Sequence, residues 1–163
     1  MIRLSGSVCI DAPAHVVWAR LARLEDIEIW SHLVRRASCP DGRSRGLSAE
    51  RTCKLAGNIT IEERWIAWDE GRSFAYEATG LPLVKRAHNI WSVHPENELQ
   101  TLLTTVAEVE LKGGYFGRLL EPIMATAFGR MAPRYLAAFK YLVEKGHPYE
   151  GPYTDLPVAP ATC

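Results

Sequence analysis

From Ile2 to Ile10 apolar and polar positions alternate loosely, the spacing of a strand with one face in a core. Asp11-Ala12-Pro13 then supplies a capping residue and a proline suited to a helix's first turn. Val17, Leu21 and Leu24 follow at helical spacing, which predicts a helix over 14–24 and, after a bend, a second short helix over 25–30. Strand character returns in 33–39, 49–55, 59–68, 73–79, 84–94 and 99–111. The breaks between these segments are rich in Gly, Asn, Asp and Pro, residues that adopt hairpin backbone angles, so the sheet is expected to be an antiparallel meander. After Gly113-Gly114 an apolar stripe runs through Phe116, Leu120, Ile123, Ala127, Met131, Tyr135, Ala138 and Leu142, one face of a long helix that ends near Gly146. Pro122 and Pro133 inside that helix predict a kink or an interrupted first turn. No periodic signal follows, so a single domain over 1–146 and an extended or disordered tail over 147–163 are expected.

Alternation also assigns faces. With Glu108 and Glu110 toward water, Thr101, Leu103, Thr105, Ala107 and Val109 point inward. With Arg86 and His88 outside, Ala87, Asn89, Trp91 and Val93 point inward, and Phe74, Tyr76 and Ala78 are the inward set of the preceding strand. The segment 59–68 resists this treatment. Strict alternation puts Trp65 and Trp68 on opposite faces and leaves either Glu63 or the pair Glu62 and Arg64 inside; the phase with Glu63 and Trp65 inward is favoured.

Composition narrows the function classes. The chain has 163 residues, 47% of them hydrophobic, with 19 Lys+Arg against 19 Asp+Glu. A chain this long buries roughly 70% of its unfolded surface and folds without staples. Zero net charge offers nothing to neutralise phosphates, so nucleic acid is not expected as a partner. No apolar run approaches bilayer length and the first residues lack a secretory pattern, so no stable membrane insertion and a cytoplasmic location are expected. Cys9, Cys39, Cys53 and Cys163 are scattered without a C-x-x-C pair, which predicts buried thiols rather than zinc or a disulfide framework.

Three catalytic patterns fail on context. Gly42-Arg43-Ser44-Arg45-Gly46 spells G-x-S-x-G, but a nucleophile elbow needs a strand before it and a helix after it, and here a second strand follows. His94-x-Glu96 has no Pro-Cys-x-x-Cys after it, and Gly113-Gly114-Tyr115-Phe116-Gly117 lacks both a Walker lysine and a βαβ setting. The five histidines show no ligand spacing, so no metal and no cofactor are expected. Glu63 and Tyr76 remain as acid/base candidates if both face inward.

Ile10-Asp11-Ala12-Pro13-Ala14-His15-Val16-Val17-Trp18, Glu28-Ile29-Trp30, the stretch Glu63-Arg64-Trp65 through Arg72-Ser73-Phe74-Ala75-Tyr76, and Leu111-Lys112-Gly113-Gly114 leading to Leu119-Leu120-Glu121-Pro122 occur in a telling order. Over residues 2–145 the sequence resembles the polyketide cyclase/dehydrase and lipid-transport family of the START-like (SRPBCC, Bet v 1-like) superfamily. The resemblance implies an α+β helix-grip fold: a curved seven-stranded antiparallel sheet, two short helices, and a long C-terminal helix, together enclosing a cavity. It implies a small hydrophobic ligand (lipid, isoprenoid or aromatic polyketide) held by a carrier or sensor, monomeric or a homodimer. The alternative is a polyketide cyclase or dehydratase using a cavity carboxylate or tyrosine. On that plan Trp65, Phe74, Tyr76, Asn89, Trp91, Thr101, Leu103 and Thr105 line the sheet side. Leu120, Ile123, Met124, Ala127 and Met131 form the helix wall, and Trp30 stands near the mouth. Cyclases that this family resembles often place an arginine in the cavity, and the assigned strand phases offer only Arg64.

Overall fold

The computed structural model describes residues 1–163 apart from the side chains at positions 116 and 118, so the Phe116 member of the helical stripe lies outside the described residues. Strand β1 (Ile2–Ile10) leads into α1 (Ala14–Leu21), a single 3-10 turn (Leu24–Asp26) and α2 (Ile27–Trp30). Six strands follow, β2 (Val34–Ser38), β3 (Glu50–Leu55), β4 (Thr60–Asp69), β5 (Ser73–Thr79), β6 (Val84–Pro95) and β7 (Thr101–Leu111), and then α3 (Gly114–Lys145). All seven strands join one antiparallel, unclosed sheet in the order β1-β7-β6-β5-β4-β3-β2. This is the α+β helix-grip arrangement, with α3 lying across a meander whose last strand pairs back onto the first.

The expected meander follows from its turns. Gly71 and Gly80 carry φ of 79° and 95°, and a Cβ at Gly80 would sit 2.2 Å from the Thr60 carbonyl oxygen, so only glycine closes the β5–β6 connection this tightly. Gly146, at φ 78°, ends α3 where sequence placed the end, its N–H bonded to the Leu142 carbonyl.

Helix α3 has two unlike halves. From Leu136 to Leu142 it buries Leu136, Ala137, Ala138, Phe139 and Leu142, and Gly6 on β1 lets it approach, a Cβ there lying 2.9 Å from Leu136 Cδ1. Each large apolar side chain buried here contributes about 1.5–3 kcal/mol. Before Pro133 the same helix leaves Leu119, Leu120, Ile123 and Met131 exposed, while Met124, Ala125 and Phe128 pack, partly buried, against the core. The anticipated interruption does not occur, and α3 is continuous through both prolines. Pro122 and Pro133 both lie on exposed positions of the helix.

The cysteine expectation needs correction. Cys9 on edge strand β1 is disulfide-bonded to Cys163, whereas Cys39 and Cys53 are buried free thiols. Sequence spacing missed the bond because 154 positions separate its ends. The segment 147–163 runs from the end of α3 to α2 and on to β1. Tyr153 stacks on His32, accepts the His32 backbone N–H and donates to the Trp30 carbonyl. Beside β1 the Cys9 N–H donates to the Pro160 carbonyl and Ser7 Oγ to the Ala161 carbonyl. Reduction, or Cys163→Ser, should therefore cost about 2–4 kcal/mol by releasing this long closed loop in the unfolded chain. A thermal melt with and without reductant checks it. Under denaturant the unreduced chain should show two reactive thiols and the reduced chain four.

Candidate functional site

Between the sheet and the middle of α3 lies a cavity of about 290 Å³. Strands β5, β6 and β7 supply its floor through Tyr76, Ala78, Ala87, Asn89, Trp91, Thr105, Ala107 and Val109, and β1 and β4 add Leu4, Gly6, Ile61 and Glu63. Helix α3 closes the top with Phe128, Met131, Ala132 and Tyr135, and the exposed Leu33 and Met131 mark where the cavity opens. The lining is predominantly apolar with a few polar groups, the ordinary character of a small-molecule site. Tyr76, Trp91 and Tyr135 also line a second, small recess of about 20 Å³, whose other walls include Trp30, Arg51, Trp65 and Phe74.

Alternation positions the sheet side as anticipated for Tyr76, Asn89, Trp91 and Thr105, which face the main cavity, and for Trp65 and Phe74, which reach the recess. Other candidates stand elsewhere. Leu103 is fully buried core, and Thr101, equally buried, donates its hydroxyl to the Ala12 carbonyl at 2.7 Å. Leu120 and Ile123 are 39% and 65% exposed and Ala127 is also exposed, so they form no wall; Met124 packs against the core, and only Met131 of the helical set lines the cavity. Trp30 is interior rather than at the mouth, its ring 4.6 Å from Tyr135 and 5.1 Å from Phe139.

The residue that sequence reading overlooked is Arg51. Registered opposite Glu63 across β3 and β4, it is 5% exposed and donates from Nε to Glu63 Oε2 at 2.6 Å and from Nη1 to the Leu24 carbonyl. Its guanidinium carbon stands 5.0 Å from the Trp65 ring centroid, a cation–π contact. Burial works against the Arg51 charge, but the Glu63 carboxylate more than offsets it and holds the guanidinium protonated, above its ordinary range. A signal for Arg51 existed: treating Cys53 as an inward apolar residue places Arg51, two positions earlier, on the same face. Arg64, the only arginine the sequence phases offered, instead faces outward and pairs with Glu50.

Cys53 Sγ also donates to Glu63 Oε2, at 3.4 Å. Burial, reinforced by Glu63, pushes its thiol up to about 12, and burial with Glu25 pushes Cys39 up to about 11. Burial, then Glu63, likewise raises the Tyr76 hydroxyl, which stays a protonated donor at neutral pH. These groups have folded pKa values above their unfolded ones. Their stabilising effect is complete below about pH 9 and is lost as pH rises through 11 to 12. The urea midpoint should therefore hold from pH 7 to 8.5 and fall by pH 10.5, and native Cys53 should resist iodoacetamide at pH 8; a flat midpoint to pH 10.5 would contradict the burial of these thiols. Among the described residues no group of three or more His, Cys, Asp or Glu side chains converges to hold a metal, and no helix is long and apolar enough to cross a membrane.

A family model described as polyketide cyclase/dehydrase and lipid transport matches residues 1–144. Among solved structures, a START superfamily protein from Mycobacterium smegmatis superposes with a TM-score of 0.68 at 15% identity, covering 88% of this chain and 97% of that one. Norcoclaurine synthase from Thalictrum flavum, a point mutant in complex with a transition-state analogue, gives 0.67 at 15% identity, covering 88% and 94%. The di-domain ARO/CYC protein BexL of the BE-7585A biosynthetic pathway gives 0.72 at 17% identity, covering 88% of this chain and 47% of that one. At these identities the likeness is one of fold. No curated protein matches the sequence.

Proposed function

The chain belongs to the polyketide cyclase/dehydrase and lipid-transport family, and we propose that within it this protein holds one small hydrophobic molecule, a lipid, isoprenoid or aromatic polyketide, as a carrier or sensor. The observation that carries the reading is the open cavity of about 290 Å³ between the sheet and the middle of α3. A core with no ligand to accommodate would gain by collapsing such a space, since empty volume forfeits packing on every wall. Half-buried Asn89 and Thr105 and buried Tyr76 offer orienting hydrogen bonds on an otherwise apolar floor.

A second reading, catalysis of cyclisation or dehydration, is favoured by Glu63 and Tyr76 both lining the cavity. It is weakened by the Arg51–Glu63 pair, because the Glu63 Oε2 it would use is already committed to hydrogen bonds from a guanidinium and a thiol. Tyr76 retains the role of a hydrogen-bond donor to a carbonyl. The carrier reading requires only the space and the mouth, and it is the one we adopt. Native mass spectrometry of gently purified protein should show a non-covalent adduct of one small molecule. Bare protein that also takes up none of a panel of added lipids, isoprenoids and aromatic ketones would overturn the reading.

A further inference from the structure

Residues 147–163 are fastened to the domain at three places. Tyr141, near the end of α3, holds His147 and Tyr149 edge-on, with ring centroids 5.6 and 5.2 Å away. Tyr153 stacks on the His32 ring at 3.4 Å, accepts the His32 backbone N–H at 3.0 Å and donates to the Trp30 carbonyl. The segment then follows the edge of β1, where the Cys9 N–H and the Ser7 hydroxyl donate to the Pro160 and Ala161 carbonyls, and the Cys9–Cys163 bond locks it there. The middle anchor borders the cavity. Leu33, the residue after His32, stands at the mouth, and the Trp30 ring packs on Trp91 and Tyr135, two of the cavity walls. The two bonded sulfurs differ in access, since Cys163 is exposed and Cys9 is 3% exposed. A domain of this size folds without staples, so the bond has room for a role beyond holding the core together.

We propose that the Cys9–Cys163 pair is a thiol–disulfide exchange site whose redox state latches the mouth of the ligand cavity, the oxidised pair holding residues 30–33 in place and the reduced pair letting them move. The assignment rests on the ligand-binding reading above and adds its regulation. A thiolate of an external dithiol attacks the exposed Cys163 sulfur; the S–S bond breaks, its electron pair leaves on Cys9, and Cys9 takes up a proton. The second thiolate of the dithiol then attacks the mixed disulfide and frees Cys163, which is protonated in turn. Two electrons have passed to the protein, and the dithiol departs as a disulfide. The exposed bond from Ser7 to Ala161 and the Cys9–Pro160 bond contribute about 0.5–1.5 kcal/mol each. That is too little to order a strap whose backbone costs about 1–2 kcal/mol per residue. Once reduced, the strap frays from β1, Tyr153 leaves His32 and Trp30, and the segment carrying Leu33 loses its outer support.

Stopped-flow release of N-phenyl-1-naphthylamine, a neutral apolar fluorophore, tests this on the whole chain before and after treatment with dithiothreitol. Reduction should speed release roughly fivefold or more, as expected when a closing segment is freed. Cys163→Ser should match the reduced parent and ignore the reductant. Tyr153→Phe keeps the disulfide and loses both hydrogen bonds beside the mouth, so it should move the oxidised chain most of the way to the same rate. Maleimide labelling of the reduced native chain should tag Cys9 and Cys163 and spare the buried Cys39 and Cys53. The reduced parent decides the matter even if either variant folds poorly. A staple acting only through the unfolded chain would lower the melt and leave release unchanged; that result would overturn the latch while the cavity reading stood. A bond that dithiothreitol does not open in the native chain would overturn the exchange site, and labelling of Cys163 without Cys9 would show the strap still seated on β1 and overturn the latch. Binding of the probe by neither form would overturn the latch together with the cavity reading for aromatic ligands.

Discussion

Arg51→Met is expected to destabilise the fold by about 3–5 kcal/mol, because it strands the Glu63 carboxylate in the sheet interior. After the substitution Glu63 retains the weak Cys53 thiol contact and loses a charge-assisted bond of 2.6 Å. The Leu24 carbonyl loses its donor as well, which loosens the turn between α1 and α2. Glu63→Gln should cost less but remain unfavourable, since the guanidinium keeps its burial and loses its counter-charge. The double variant Arg51→Met, Glu63→Met should recover most of the loss, because a buried ion pair replaced by apolar side chains of similar volume is often neutral. A double-mutant cycle by urea denaturation measures the coupling directly. A single-variant cost under 1 kcal/mol would show that the pair is hydrated and that the wall of the site has been misread. The cycle also bears on function: a double variant that folds well yet loses ligand binding would separate the pair's role in recognition from its role in stability.

The strands were legible because each buries one face and turns at residues with unusual backbone freedom. Phase could be read wherever an outward charge marked it, as Glu108 and Glu110 do on β7 and Arg86 does on β6, where the same side chains pair across the outer face. No face was assigned on β3, where a charge points inward. Periodicity treats arginine as a surface residue, and only its partner across the ladder, Glu63, makes the inward position tenable. Helix α3 misled for the opposite reason. Its first half is apolar around much of its circumference, so the stripe through Leu120, Ile123 and Ala127 selects no unique face, and it is Met124, Ala125 and Phe128 that turn toward the core. The true wall, Phe128, Met131, Ala132 and Tyr135, begins where α3 descends onto β1 and the aromatic cluster around Trp30. The position of Trp30 and the Cys9–Cys163 bond depend on how the chain ends pass over the sheet, which no local pattern encodes.

Filling the cavity is expected to abolish binding without unfolding the protein. Ala87 on β6 is the place to do it: it is 5% exposed, lines the cavity, and is flanked across the ladder by Ala78 on β5 and Val109 on β7, both small enough to let a large side chain stand upright from the floor. An indole introduced by Ala87→Trp would project into space now open and occupy a large part of it, so ligand affinity should fall at least tenfold and the native adduct should disappear. Overpacking a solid core costs about 1–3 kcal/mol, whereas filling a void commonly stabilises by about 0.5–2 kcal/mol. The sign of the stability change therefore reports independently on whether the space is real. A melting temperature equal to or above that of the parent, together with lost binding, is the expected pair of results. Ile66→Trp, on the outer face of β4 at a site 44% exposed, serves as the control and should bind like the parent. Retained binding in Ala87→Trp with unchanged stability would move the ligand out of this cavity, and a loss of about 3 kcal/mol or more would mean that sheet and helix meet here as solid core.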